Sequence, residues 1–176
     1  MANTNLVTVS GEEIVVDESS IAGPVGIAYV LGQSAVGVSV GNVTTEAVLA
    51  TVTIPAGIMG RNGRLIIHSN WTMTNGANDK TMRIRLGGVS GTAFLQSLQT
   101  TQATYSDVRW IANRNSFASQ VGTVLAVSPL AVSTSALITG TIDTSAETTL
   151  VFTGQKESGS DTLTLESYCV QLLYGA

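Results

Sequence analysis

The chain has 176 residues, room for one domain with some extension, and a domain of about 150 residues buries roughly 70% of the surface its unfolded chain exposes. Only 11% of its residues are Asp, Glu, Lys or Arg, where an ordinary soluble domain carries roughly 25%, and a net charge of -4 with Lys80 and Lys156 as its lysines offers no footprint for nucleic acid or an anionic membrane. No run approaches the roughly 18 apolar residues of a spanning helix, and the start "MANTNLVTVSGEEIVV" lacks the basic and apolar regions of a signal peptide, so neither a membrane span nor export by a leader is expected.

Residues 1–45 mix short β-prone pieces with Gly and Ser, and Tyr29 is their one aromatic residue. With so little bulky apolar content the segment cannot close a core of its own. It reads as an extended N-terminal attachment arm, with strands available to a neighbour's sheet. Within it, "GVSVG" (37–41) matches the G-x-S-x-G pattern of a nucleophile elbow around Ser39. That pattern carries chemistry only on a strand-turn-helix with an acid and a histidine following in that order. No helix follows here, so a strand or Gly-rich loop is expected.

Residues 46–176 read as one all-β domain. Apolar residues alternate with Thr, Ser and Asn in eight runs: "EAVLATVTI", "RLIIHSNWTM", "TMRIRL", "TAFLQS", "ATYSDVRWIAN", "SALITGT", "TTLVFTG" and "LTLESYCVQLLY". Eight antiparallel strands with turn signals between them make a jelly-roll β-sandwich. Between the first two runs, Pro55 followed by Gly57, Gly60 and Gly63 marks a turn; the Gly-Lys-Ser/Thr ending of a phosphate loop is missing. In residues 65–86, Leu65, Ile67, Ser69, Trp71 and Met73 share one face of the first strand, and Met82, Ile84 and Leu86 share one face of the second. The Asx- and Gly-rich "TNGANDK" between them reads as a long hairpin turn. In a hairpin of this register His68, Arg83 and Arg85 fall together on the polar face. There they are candidates for a subunit interface, where the planar arginine fork suits carboxylates or main-chain carbonyls of a sister chain.

No metal or cofactor site is expected: the single histidine and the single cysteine, His68 and Cys169, lie far apart in the chain and lack the ligand spacing of zinc. "NGANDK" lacks the acidic density of a calcium loop. Cys169, in the apolar run "ESYCVQLL", reads as a buried structural thiol. The twelve acids show no distinctive aromatic-rich pair for glycoside cleavage, and no enzymatic activity is expected.

The run "LATVTIPAGIMGRNGRLIIHSNWTMTNGANDKTMRIRLGG", followed by "LQSLQTTQATYSDVRWIANRNSFASQVG", resembles a segment of small structural proteins and fibre tips of tailed bacteriophages. The likeness covers about residues 46–122 and includes Arg83, Arg85, Asn113, Arg114 and Asn115, with no catalytic role to carry over. It implies a homotrimeric jelly-roll domain displayed on the virion surface. Because no long repetitive shaft precedes the domain, a capsid decoration or head-fibre protein is expected, fastened through its arm to the major capsid protein or another virion protein. The alternative is a tail-fibre tip or adaptor that binds a host-surface glycan. Its receptor loop would draw on Tyr105, Trp110, Asn113, Arg114 and Asn115, since sugars stack on aromatics and hydrogen-bond to Asn and Arg.

Overall fold

A computed structural model of the chain describes the backbone of residues 4–9 and 12–17, and residues 28–123 and 133–175 in full. The described residues contain strands and no helix: β1 (Thr4–Val9), β2 (Glu12–Asp17), β3 (Ala28–Ser34), β4 (Val38–Ser39), β5 (Ala47–Ile54), β6 (Arg64–Met73), β7 (Lys80–Leu86), β8 (Thr92–Gln99), β9 (Thr104–Asn113), β10 (Gln120–Gly122), β11 (Ile138–Gly140), β12 (Thr148–Lys156) and β13 (Leu163–Leu173). β1 and β2 form a two-stranded antiparallel sheet of their own. The others make two antiparallel sheets. The larger runs β11-β10-β9-β6-β13-β3, with β4 also on β13, and the smaller runs β5-β12-β7-β8.

The two sheets pack face to face in a sandwich-like arrangement. Inward residues of both, among them Leu65, Ile67, Trp71, Met73, Ile111, Val170 and Leu172 from the larger and Met82, Ile84, Leu86, Phe94, Leu150 and Phe152 from the smaller, form one buried cluster. Alternation sets this directly. In β7 every second side chain, Lys80, Met82, Ile84 and Leu86, is buried, because successive residues of a strand point to opposite faces. The Phe94 ring lies against the bare backbone of Gly122 and Gly140 across the sandwich, where a Cβ at either position would press on it.

Residues 65–86 do not form the expected hairpin. β6 hydrogen-bonds to β9 and β13, whereas β7 hydrogen-bonds to β8 and β12. Residues 74–79 therefore cross from one sheet to the other, a gap of about 10 Å. The crossing is anchored at its end of the sandwich by Thr74, whose N donates to Thr162 O (3.1 Å), by Asn78 Nδ2 donating to Asp161 Oδ2 (3.0 Å), and by Lys80 Nζ donating to Gly76 O (3.0 Å). Two amphipathic strands can bury their apolar faces side by side in one sheet or facing one another from two, and the alternation is the same in both. The consequence for the polar faces is opposite. In the sandwich they point away from each other, so His68 lies on one outer surface and Arg83 and Arg85 on the other.

The segment set aside as an arm, residues 1–45, is divided. β3 pairs with β13 and β4 continues along the same strand, and Val40 enters the core at 5% exposure. Bulk comes from the opposing sheet: Val52 of β5 fills the space above Gly32, where a Cβ would stand 2.9 Å from Val52 Cγ2. A segment poor in large apolar residues thus joins a core by letting another strand's side chain reach its backbone. Positions 1–3, 10–11 and 18–27 of the expected arm lie outside the described residues. Ser39 sits on β4, its hydroxyl 2.8 Å from Thr164 Oγ1, on a strand and not on the elbow a nucleophile needs.

Candidate functional site

The outer face of the smaller sheet carries a compact charge network. Arg83 and Arg85, two apart on β7, project to the same side and grip Glu46, just before β5: Arg83 Nη1 lies 3.2 Å from Glu46 Oε2, and Arg85 Nε lies 3.2 Å from Glu46 Oε1. Thr153 donates its hydroxyl to the same carboxylate. Both arginines make further hydrogen bonds. Arg83 reaches Gln96 Oε1 and Gln155 Oε1, each at 3.1 Å, and Arg85 Nη1 donates to Gly91 O at 3.3 Å. Partial burial by itself raises the Glu46 carboxyl, but the Thr153 and Arg85 hydrogen bonds and the charges of both arginines outweigh it and hold it below its ordinary value of 4.5. The two arginines expected at an interface are thus engaged within their own chain.

The outer face of the larger sheet is different. His68 of β6 is exposed there and stands in register with Cys169 of β13, which pairs in turn with Gln33 of β3. Together with Ser34, Asn70 and Ser167 these residues line a shallow cavity of about 490 Å³. Cys169 is half-buried on this outer face, not a core thiol: a bulge in β13 at Glu166, between Leu165 and Ser167, passes the inward positions from Leu163 and Leu165 to Val170 and Leu172, so the apolar run around it does not report its side. Further along the same face, Trp110 is half-exposed beneath the guanidinium of Arg64, 5.6 Å from the ring centroid. It borders a groove of about 260 Å³ with Val121, Thr123 and Leu137.

The remaining receptor-loop candidates divide between surface and interior. Asn113 is buried at the end of β9: its Nδ2 donates to Gly60 O (2.7 Å) and Thr144 Oγ1 (3.0 Å), and its Oδ1 accepts from Gln120 Nε2 (3.0 Å). Gln120, also buried, ties in Phe117 O and both backbone groups of Ile142. This amide pair holds three loops together and has no atom left for a ligand. Arg114 and Asn115 are exposed in the turn that follows. Asn115 takes the left-handed region at φ 52, which Asn tolerates better than most residues, and its N donates to Asn62 Oδ1 at 3.2 Å. Tyr105 is turned partly inward with its hydroxyl 3.5 Å from Arg109 Nη2. Burial, reinforced by the charge of Asp107, raises its phenol above the ordinary value of 10.0 against the hydrogen bonds of Ser97 and Arg109.

Sequence reasoning passed over several structural ions. Arg109, fully buried, is paired with Asp107 at 2.5 Å and reaches Thr123 Oγ1 at 3.2 Å. Both lysines are buried and stand opposite each other on β7 and β12. Lys156 Nζ fills the loop after its strand by donating to Asp161 O (2.7 Å) and Gly159 O (3.2 Å). The signal available was slight: a lysine closing an alternating strand just before a Gly- and Asp-bearing turn.

Comparison with protein-family models, with curated proteins and with solved structures finds no match for this chain. Among the described residues no three His, Cys, Asp or Glu side chains come together as a ligand set, and no buried side-chain N or O lacks a hydrogen-bond partner. His68 stands with Cys169 and Gln33 on one face; Arg83 and Arg85 stand with Glu46 on the other.

Proposed function

We propose that the chain is a phage virion structural protein, a capsid decoration or head-fibre protein that fastens through its N-terminal segment and displays a trimeric, eight-stranded jelly roll. The strand pairing supports the fold. β3 pairs with β13, β5 with β12, β6 with β9 and β7 with β8, four nested antiparallel pairs that follow from one long hairpin wound around a sandwich with its tip at β7–β8. Jelly rolls of this winding recur in viral capsid and lectin domains, and a fold alone leaves the function open.

The observation that carries the structural reading is where the polar chemistry goes. Arg83, Arg85, Asn113, Gln120, Arg109 and both lysines are engaged in holding strands and loops to one another, while β1 and β2 pair only with each other among the described strands. An isolated two-stranded hairpin is marginal in water and gains stability by packing on something else. That suits an attachment element. Decoration then works by mass action: each copy that bridges neighbouring shell proteins adds contacts that must break before the shell does. Antibody against the sandwich, applied to intact particles and viewed by electron microscopy, tests the location. Label distributed over the shell supports decoration, and label confined to the tail overturns it. Deleting residues 1–27, which spares β3, abolishes shell binding while leaving the sandwich folded.

One observation favours a glycan-binding tip instead: Trp110 on an outer face, bordering a groove. Arg64 already covers that ring at 5.6 Å, so a sugar would have to displace it. Retained binding of the truncated protein to host cells, lost in Trp110→Ala, would decide for this reading.

A further inference from the structure

Gln33, Cys169 and His68 occupy one row across three adjacent strands: Cys169 of β13 stands opposite Gln33 of β3 on one side and opposite His68 of β6 on the other. Adjacent strands lie about 4.8 Å apart, which puts the shortest of the three side chains in the middle and the two longer ones where they can lean over it from either side. All three line the same cavity of about 490 Å³ on the outer face of the larger sheet. None of the three has a hydrogen-bond or ion-pair partner among the described residues. The next row of the sheet shows the contrast, since Asn70 Nδ2 donates to Ser167 Oγ at 2.9 Å, as do the amides of Asn113 and Gln120 to their own partners.

We propose that this row is a binding site for one divalent metal ion of the zinc class, held by Cys169 Sγ, a ring nitrogen of His68 and Gln33 Oε1, with water completing the shell. A directly opposed cross-strand pair has Cβ atoms about 4.5–5.5 Å apart, a span that metal–sulfur bonds of about 2.3 Å and metal–nitrogen bonds of about 2.0–2.1 Å bridge. Thiolate, imidazole and amide oxygen together match a borderline ion better than a hard one. On binding, the Cys169 thiol gives its proton to solvent and the sulfur lone pair forms the metal bond; no electron is transferred. The ion would join β3, the edge strand, to β13 and β6, fastening the outer strand of the sheet at the point where β3 breaks off before β4.

The test uses the full chain and Co²⁺ as a probe, because a cobalt–thiolate bond gives a charge-transfer absorption band that oxygen and nitrogen ligands do not. The expected result is a saturable band at one Co²⁺ per chain, displaced by Zn²⁺. Cys169→Ser abolishes it, His68→Gln weakens binding by at least about tenfold, and Gln33→Ala weakens it severalfold. All three positions are on the outer face, and an unchanged near-ultraviolet circular dichroism signal from buried Trp71 checks that each variant is folded. Absence of the band, or an affinity that either His68→Gln or Gln33→Ala leaves unchanged, overturns the site.

Discussion

The two outer faces of the sandwich are built on opposite principles. On the smaller sheet, Arg83, Arg85 and Glu46 form a closed network with Gln96, Gln155 and Thr153, a surface whose charges answer one another. On the larger sheet, the row of Gln33, Cys169 and His68 carries polar atoms with no partner among the described residues, beside half-exposed Trp110. Side chains that stabilise the fold are the ones already satisfied, and side chains available to something outside the chain are the ones left open. The smaller sheet's face therefore supports stability, and the larger sheet's face is where binding is to be sought.

Substitutions can break this contrast, and the largest effect is expected beneath the open face. Arg109→Ala leaves Asp107 as a buried carboxylate without its cation, and unfolding in urea should show a loss of about 3–5 kcal/mol. Next comes the closed network: Glu46→Gln leaves two neighbouring arginines without their shared carboxylate, and the same measurement should show a loss of about 1 kcal/mol, limited by solvent screening at this partly exposed position. The pH dependence sharpens it. Because the folded-state carboxyl is held below its ordinary value of 4.5, its contribution is present above that value and disappears as the pH falls through the lower, folded-state value. The stability of the parent chain should thus decline in this acid range by more than that of Glu46→Gln. The smallest effect belongs to the open face: without metal, His68→Gln should change unfolding stability by less than about 0.5 kcal/mol, since the imidazole has no hydrogen-bond or ion-pair partner among the described residues. A large loss there, or none at Glu46, would erase the distinction between the faces.

Much of the interior was legible beforehand. Alternation alone puts Trp71, Met82 and Ile84 on the apolar faces of their strands, and they are 1%, 0% and 0% exposed. Each of the eight expected runs contains or overlaps a strand. The candidate site was far less legible. A hairpin would put His68 and the two arginines on one face, and Asn113 is a receptor candidate by sequence because sugars hydrogen-bond to Asn and Arg. The sandwich separates the first group and buries the last residue at 5% exposure. The pair that chain distance argued against as metal ligands, His68 and Cys169, is the one that register brings side by side.

Local alternation and turn composition, read from the sequence alone, determined that the chain is all-β, where its strands run, and which side of most of them is apolar, because side-chain direction in a strand follows residue parity wherever no bulge intervenes. Which strands pair, and so which polar faces coincide, was decided only in three dimensions. Edge-to-edge pairing in one sheet and face-to-face packing of two sheets bury the same apolar residues, and the choice between them rests on long-range hydrogen bonds such as those of β6 to β13, which no local pattern records.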